Sequence, residues 1–151
     1  TIHTNDAAGG ITRMLDMGVE DYLLASTVNA VIAQRLVRKL CPQCREPYTP
    51  EADEVRRFGL DRLAGDREPI LHRAVGCDHC GGTGYRGRNA IVELLVMSEP
   101  LRRLVLDHAE AGAIADQAVS EGMRPMFEDG LMKALEGVTT IGEVLRVTRS
   151  R

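Results

Sequence analysis

The apolar positions of the first 40 residues change from a helical spacing to the pattern of a strand. Two helices are predicted first; Asn5 or Asp6 can cap the start of the longer one, and Gly18 stands where a left-handed residue would end it. A run of β-branched and aliphatic residues then favours a strand, although its alanines and leucines leave a helical interpretation open. The segments concerned are TNDAAGGITRMLDMG, VEDYLLAST and NAVIAQRLVRKL.

The middle of the chain is more polar, and its pattern predicts a single helix between residues 49 and 59. Thr49 can cap this helix, Pro50 suits its first position, and Gly59 can close it. A charged connector follows, and residues 70–75 allow a short strand at its end.

The apolar run NAIVELLVM, residues 89–97, predicts the clearest strand of the chain, and only helices are expected after it. The first of these helices starts at Ser98, and Gly122 and Gly137 end two later ones. Thr140 and Glu143 have the spacing of a capping box, so they predict the start of the last helix.

The composition fits a protein with an aliphatic core, because 44% of the 151 residues are hydrophobic but only 3% are aromatic. The net charge of −3 argues against a general nucleic-acid surface, which needs an excess of basic residues to neutralise phosphates. No apolar run approaches the ~20 residues of a membrane-spanning helix. Because the chain opens on Thr1 rather than Met, we expect a piece of a longer protein.

Two C-x2-C motifs carry all four cysteines of the chain. Two such turns can aim four thiolates at one point and close a tetrahedral metal site, and four sulfur ligands leave no open position for water. The sequence therefore predicts a structural Zn²⁺ rather than a catalytic one, with His72 and His79 as spare candidate ligands. The predicted ligands are Cys41, Cys44, Cys77 and Cys80.

Three other interpretations of the cysteines stay open. Disulfides are disfavoured because nothing in the sequence suggests export. A redox C-x-x-C pair usually opens a helix, whereas Pro42 and Pro47 indicate a loop after Cys41. An iron–sulfur cluster would use the same four thiolates. A thiol oxidoreductase would show reversible disulfide chemistry between Cys41 and Cys44.

Six stretches of the chain, taken together and in order, resemble one family. They are HTNDA, TRMLDMG, LLAST, AQRLVRKLCPQC, CGGTGYRGR and TTIGEVLRV. The chain resembles the C-terminal part of the type II secretion traffic ATPases (general secretory pathway protein E), to which the type IV pilus assembly ATPases are closely related. The most specific element is the combination of AQRLVRKLCPQC with the second cysteine pair.

This resemblance implies an α/β fold, namely the C-terminal half of a RecA-like P-loop ATPase domain. An inserted four-cysteine zinc loop and a small all-helical C-terminal domain would complete it. The implied parts are residues 1–40 of the ATPase domain, the zinc-binding insert at 41–80, a return strand at 81–97 and the helical domain at 98–151.

The same resemblance implies a site and a setting. TIHTNDA matches a histidine-bearing segment of the family, so His3 would be a catalytic residue, although on the residues alone it is an ordinary polar residue at a strand end. Full-length members are homo-hexamers that use ATP and Mg²⁺ to drive pseudopilus assembly. They work in the cytoplasm, on platform proteins at the inner membrane of Gram-negative bacteria.

The segment GYRGR, residues 84–88, is a further candidate site. Its glycines let the backbone come close to a partner, and its guanidinium groups can grip a phosphate or stack on a base. The resemblance implies that this segment approaches bound nucleotide, with Arg88 favoured over Arg86. Arg86 can equally neutralise a dianionic zinc–tetrathiolate cluster.

A Walker A loop needs Gly-Lys-Ser/Thr, but Lys39 and Lys133 follow Arg38 and Met132. The chain is therefore expected to hydrolyse no ATP by itself. One alternative is a type IV pilus assembly ATPase. Another is a zinc-ribbon module that holds nucleic acid or unfolded chains, against which the scarcity of aromatic rings counts.

Overall fold

The structure is a computed structural model that describes residues 4–148, so His3 lies outside the described residues. It confirms a mixed α/β chain. The elements are α1 Ala7–Asp16, α2 Asp21–Thr27, β1 Ala30–Leu40, β2 Arg45–Tyr48, α3 Ala52–Phe58, α4 Leu60–Ala64, β3 Leu71–Ala74, a 3-10 turn at Asp78–Cys80, β4 Tyr85–Val96, α5 Glu99–Leu106, α6 Ala111–Ser120, α7 Met126–Leu135 and α8 Ile141–Thr148.

The ends of α1 follow the sequence prediction. Asp6 caps the helix, because its Oδ1 accepts a hydrogen bond from the backbone N–H of Gly9 at 2.7 Å. Gly18 adopts φ 86° just beyond the last turn, where Val19 N donates to Met14 O at 3.1 Å. This is the Schellman arrangement that favours glycine.

The predicted starts of α5 and α8 are also confirmed. Ser98 Oγ accepts from Leu101 N at 3.3 Å, and Thr140 Oγ1 accepts from Glu143 N at 3.3 Å. The carboxylate of Glu143, however, accepts hydrogen bonds from Arg38, which lies on β1. The carboxylate of the predicted capping box is therefore used in a long-range contact with β1.

The segment between the cysteine pairs holds more structure than the predicted single helix. The predicted cap at Thr49 is wrong, because α3 begins at Ala52 after Glu51; its predicted end at Gly59, with φ 60°, is confirmed. The charged connector contains a second helix, α4. A single glycine in the left-handed conformation separates the two helices, so they are short and distinct.

The stretch REPY forms strand β2 rather than the predicted loop. It pairs antiparallel with β3, from Arg45 opposite Ala74 to Tyr48 opposite Leu71. Pro47 is compatible with a strand here because a two-stranded sheet consists of edge strands only. A partner strand from a distant part of the chain, not local propensity, stabilises this strand.

Strand β4 begins at Tyr85, four residues before the predicted start, so Arg86 and Arg88 lie on a strand. It pairs with β1 in a second two-stranded sheet. Both strands are long, at 12 and 11 residues.

The chain divides into two compact units. The first unit combines the described residues up to Gln34 with Val92–Met126, and the second combines Arg35–Ile91 with the described residues from Phe127 onward. Helices α5 and α6 thus belong to the first unit, whereas α8 and all of α7 except Met126 belong to the second. In residues 4–148, no helix is both long and apolar enough to cross a membrane.

Each unit has its own apolar core. In the first unit, helices α1, α2, α5 and α6 and the end of β4 supply Ala7, Ala8, Ile11, Leu24, Ala25, Leu95, Met97, Leu101, Val105, Ile114 and Ala118. In the second unit, the buried apolar cluster consists of Leu60, Leu71, Leu131, Ala134 and Ile141. Two phenylalanines, Phe58 and Phe127, pack against it with ring centroids 6.3 Å apart.

Candidate metal centre

The four cysteine sulfurs meet at one point of the second unit. All lie within 4.8 Å of one another, and the closest pairs, Cys41–Cys77, Cys44–Cys80 and Cys77–Cys80, are 3.9, 3.9 and 3.8 Å apart. A disulfide needs about 2.05 Å. Four sulfurs placed about 2.3 Å from a central ion, as around Zn²⁺, form a tetrahedron with edges of about 3.8 Å. The spacing therefore fits a four-coordinate metal and not two disulfides.

The β2–β3 hairpin brings the two pairs together. Cys44 immediately precedes β2, and Cys77 follows shortly after β3, so the Arg45–Ala74 pair closes the hairpin beside both. Cys41 directly follows β1, and its N–H donates to Gly84 O at 2.9 Å.

Both C-x2-C segments fold into turns in which the carbonyl oxygen of the first cysteine accepts two backbone N–H groups. In the first, the N–H groups of Cys44 and Arg45 donate to Cys41 O, at 3.3 and 3.1 Å. In the second, the N–H groups of Cys80 and Gly82 donate to Cys77 O, at 3.1 and 2.9 Å. Each turn aims its two sulfurs in one direction, as the spacing predicts.

Two glycines are required for this packing. A Cβ on Gly76 would lie 2.5 Å from Gly82 O, and one on Gly84 would lie 2.7 Å from the Cβ of Ala74. Both also have positive φ angles, 107° and 75°. A larger residue at either position would therefore distort the second cysteine turn or its packing on β3.

Backbone N–H groups surround the sulfurs of Cys44 and Cys80. Cys80 Sγ accepts from Cys77 N at 3.2 Å and from Gly84 N at 3.1 Å, and Cys44 Sγ accepts from Gly76 N at 3.3 Å. Desolvation works against ionisation of Cys80, but the hydrogen bonds from these two N–H groups and from the thiols of Cys77 and Cys44 together lower its pKa to about 6. The site therefore favours at least one thiolate, the form that binds metals.

The thiol of Cys44 is costly to ionise without a cation. Desolvation raises the pKa of Cys44 to about 12, and the neighbouring thiols add to the rise against the opposing bond from Gly76. Cys41 is fully buried. A metal ion would supply the positive charge that lets all four sulfurs ionise, so the donor set fits a bound metal.

Neither spare histidine joins the sulfurs. Within the described residues, the metal-ligand cluster consists of the cysteines alone. His72 lies on β3 opposite Pro47, where burial, followed by the charge of Arg45, lowers its pKa. The ring of His79 lies against Arg86, whose Nη1 donates to His79 O at 3.1 Å.

Arg88 lies at a different surface from Arg86. Arg88, Arg38, Arg146 and Leu36 line a depression of about 540 Å³. Three guanidinium groups thus surround one concave surface, and Arg88 is exposed. Such a surface can accept an anion, whereas Arg86 is engaged beside the cysteine turn.

The sequence analysis missed the network beneath this depression. Glu143 is only 3% exposed, and its carboxylate pairs with Arg38 at 2.7 Å and Arg146 at 2.8 Å. Burial works against its ionisation, but the bonds from Arg146 and Arg38 lower its pKa to about 2. The guanidinium of Arg38 also lies 4.2 Å from the centre of the Tyr85 ring, a cation–π contact.

Fold and site together define an α/β chain with a closed cluster of four thiols that could hold a metal ion. Comparison with known proteins identifies the family. The sequence profile of the family described as Type II/IV secretion system protein matches residues 1–146, so the chain belongs to this family.

Named relatives support the assignment. The type II secretion system protein E of Xanthomonas campestris is 57% identical over 148 residues, which is 98% of this chain and 26% of that protein. The type II secretion system ATPase E of Vibrio cholerae is 46% identical, over 99% of this chain and 29% of that protein. The type IV pilus assembly ATPase PilB of Thermus thermophilus is 44% identical, over 98% of this chain and 16% of that protein. The chain spans between a sixth and a third of these relatives.

Proposed function

We propose that the chain is the C-terminal part of the ATPase that powers type II protein secretion. One observation carries the proposal: the family profile and the relatives cover almost the whole chain, including all four clustered cysteines. The proposed protein hydrolyses ATP with Mg²⁺, as its relatives' description as ATPases supports.

The proposed metal is a structural Zn²⁺ bound by Cys41, Cys44, Cys77 and Cys80. Sulfur separations of 3.8–3.9 Å match its tetrahedral geometry, and four protein ligands leave no position for a reacting water. Metal analysis of protein purified without chelator tests this. One zinc per chain is expected, and a metal-free protein with an ordered cysteine cluster would contradict it.

The proposed nucleotide-facing residues are His3 and Arg88, with Arg86 as a weaker candidate. Arg88 is supported by the depression that it lines with two other arginines, because a phosphate group carries the complementary charge. Arg86 is engaged by His79 beside the second cysteine pair, which favours the neutralisation of the thiolate cluster. His3 is proposed from the family resemblance of its segment.

The wider setting is proposed from the family. The domain would be RecA-like, with the zinc insert at 41–80 and a helical domain from residue 98, and the full-length protein would be a cytoplasmic homo-hexamer. It would lie at the inner membrane of a Gram-negative bacterium and contact the secretion platform proteins there. The family match and the named relatives support this setting.

The test compares Arg88→Ala with Arg86→Ala in the full-length protein. We expect Arg88→Ala to lower ATP turnover roughly 10-fold, equivalent to about 1.4 kcal/mol of transition-state stabilisation, and Arg86→Ala to have a smaller effect. Zinc content and thermal unfolding, measured on both variants, report structural damage. Equal turnover in wild type and Arg88→Ala would remove Arg88 from the site. The isolated 151-residue chain should show no turnover, since it contains no Gly-Lys-Ser/Thr.

A type IV pilus assembly ATPase is the second candidate. The 44% identity to the Thermus thermophilus protein over 98% of the chain favours it. Deletion of the full-length gene separates the two: loss of secreted proteins with intact pili supports the secretion motor, and the reverse supports the pilus motor.

A further inference from the structure

The arginine-lined depression of the second unit carries an excess of positive charge. Arg38 on β1, Arg88 on β4 and Arg146 on α8 line it together with Leu36, and no acidic side chain is among these lining residues. All four belong to the second unit. Its volume of about 540 Å³ is that of an ordinary small-molecule pocket. Three guanidinium groups face the single carboxylate of Glu143 beneath them, so two positive charges are left uncompensated.

A glycine in β4 accounts for the place of Arg88 at this surface. Along a regular strand, side chains alternate between the two faces, so Tyr85 and Arg88 would lie on opposite faces. Gly87, between them, has φ 77°, a left-handed conformation that a regular strand does not contain. The guanidinium of Arg38 stacks on the Tyr85 ring and also lines the depression with Arg88, so both side chains of β4 reach the same surface.

Glu143 holds the other two guanidinium groups in place. Its carboxylate accepts hydrogen bonds from Arg146 Nε at 2.9 Å and Nη2 at 2.8 Å, and from Arg38 Nη2 at 2.7 Å. The Tyr85 ring, 4.2 Å from the guanidinium of Arg38, restrains that group further. Because the arginines are already ordered, a ligand that binds them loses less free energy to the ordering of long side chains.

The bonds to Glu143 leave hydrogen-bond donors for a further acceptor. Within residues 4–148, the Nη1 atoms of Arg38 and Arg146 make no hydrogen bond, and the guanidinium of Arg88 has no partner. Arg38 and Arg146 are 49% and 54% exposed, so a ligand can reach them. A phosphate group accepts several such bonds at once and carries the complementary charge.

We propose that Arg38 and Arg146, positioned by Glu143, bind a phosphate group of the nucleotide together with Arg88. The inference rests on the proposed function, in which Arg88 faces the nucleotide, and it adds two binding residues and one positioning residue to that site. Glu143 acts through the arginines: its buried carboxylate keeps both guanidinium groups beside Arg88.

The test measures the binding of MgADP and of adenosine to the full-length protein by calorimetry. The variants are Arg38→Ala, Arg146→Ala, Arg88→Ala and Glu143→Gln. Adenosine has no phosphate, so its affinity reports on the rest of the nucleotide site. Arg103→Ala is the matched control for the loss of one positive charge, because Arg103 is 74% exposed on α5 in the first unit. Thermal unfolding and zinc content report structural damage in each variant.

We expect Arg38→Ala and Arg146→Ala each to weaken MgADP binding roughly 10-fold, as for the loss of one charge-assisted hydrogen bond, and to leave the adenosine affinity unchanged. Arg103→Ala should change neither affinity. Where an alanine variant does not fold, the corresponding lysine variant replaces it. Lysine keeps the charge but not the planar set of donors, so MgADP binding should weaken by a smaller factor.

Glu143→Gln separates positioning from charge. The substitution removes the negative charge beneath the depression, so it would tighten MgADP binding if the arginines acted through their charge alone. We expect weaker MgADP binding instead, with unchanged adenosine affinity, because both guanidinium groups lose their ionic partner. Tighter binding would show that Glu143 does not position the arginines and would overturn the inference.

Other results would overturn the inference separately from the proposed function. If Arg88→Ala weakens MgADP binding but the Arg38 and Arg146 variants do not, or if they weaken adenosine binding equally, these two residues bind no phosphate. If they reduce only the binding of phosphatidylglycerol vesicles, the arginines contact lipid and the inference is wrong. If Arg88→Ala itself leaves MgADP affinity unchanged, the proposed role of Arg88 fails, and the inference fails with it.

Discussion

The two compact units are stabilised in different ways. In the first unit, four helices and the end of β4 bury a continuous aliphatic core that includes Ile11, Leu101 and Ile114. In the second unit, the buried apolar cluster is smaller, and the four-thiol centre and the Glu143 ion pairs lie beside it. Burial of one large aliphatic side chain contributes about 1.5–3 kcal/mol, so apolar burial is expected to dominate the stability of the first unit. The second unit relies more on polar bonds and, through the proposed Zn²⁺, on metal–sulfur bonds.

The largest effect is expected for the metal centre. Cys77→Ser in the full-length protein should release the metal and disorder residues 41–80, because zinc bound to structural sites contributes on the order of 10–16 kcal/mol at neutral pH. Hydrogen exchange should rise across β2, β3 and the two cysteine turns and much less in α1 and α5. His79→Ala, next to a ligand but outside the cluster, is the matched control. If Cys77→Ser raised hydrogen exchange equally in both units, the metal would not stabilise the second unit specifically.

Truncation of a core side chain in the first unit should instead raise hydrogen exchange more in that unit than in the second. Leu101, 1% exposed, lies in the first unit, and Leu101→Ala should cost about 2–4 kcal/mol through lost burial and a cavity. The loss should be the same with and without chelator, and hydrogen exchange should rise mainly in α1, α5 and α6. Leu94→Ala, at a position that is 48% exposed, is the control. If the stability loss caused by Leu101→Ala changed when chelator was added, the stabilities of the two units would not be independent.

The Glu143 ion pairs should give the second unit a pH dependence. The pKa of Glu143 falls from an ordinary 4.5 to about 2 on folding, so its contribution is complete above pH 4.5 and is lost as the pH falls towards 2. Because Arg38 and Arg146 are 49% and 54% exposed, we discount the shift and expect Glu143→Gln to cost about 1–2 kcal/mol at pH 7. Denaturant unfolding of both proteins at several pH values measures the difference. A difference that stays constant down to pH 2 would contradict this account.

The smallest effect is expected at His108 in the first unit. His108 ends α5 with φ 52°, a left-handed conformation that glycine adopts more easily, and its ring contacts Asp21 at 3.0 Å. His108→Gly should therefore be about 1 kcal/mol more stable than His108→Ala, which loses the same contact but keeps the strain. Thermal unfolding of both variants measures this. Equal stability would mean that the backbone there carries no strain.

Features that depend on neighbouring residues were predictable from the sequence. The caps at Asp6 and Ser98 and the glycines that end α1 and α3 depend on bonds within a few residues, so spacing alone identified them. The clustering of the cysteines was predictable for the same reason, since each C-x2-C turn is local and a metal site needs both.

Features that depend on distant partners were not predictable. Strand β2 contains Pro47 and too few apolar residues to indicate a strand, and it forms because β3 pairs with it. In the sequence, Glu93 looks like an ordinary surface acid and Glu143 like the acid of a capping box, because nothing local indicates the distant backbone N–H and guanidinium groups that bind their carboxylates. The only signal for Glu93 was a charge inside the apolar run NAIVELLVM.

The antiparallel β2–β3 pair next to the cysteines allows the length of chain between the two cysteine pairs to vary. The pair Arg45–Ala74 lies at the end of β2 and β3 that is next to the sulfurs. Helices α3 and α4 connect the opposite end of the two strands, between Tyr48 and Leu71. Doubling a loop of this kind costs only about 0.6 kcal/mol of closure entropy. Residues inserted into the exposed segment 65–68 would therefore leave the thiol geometry intact, whereas an exchange of α3 and α4 would remove Leu60 from the apolar cluster.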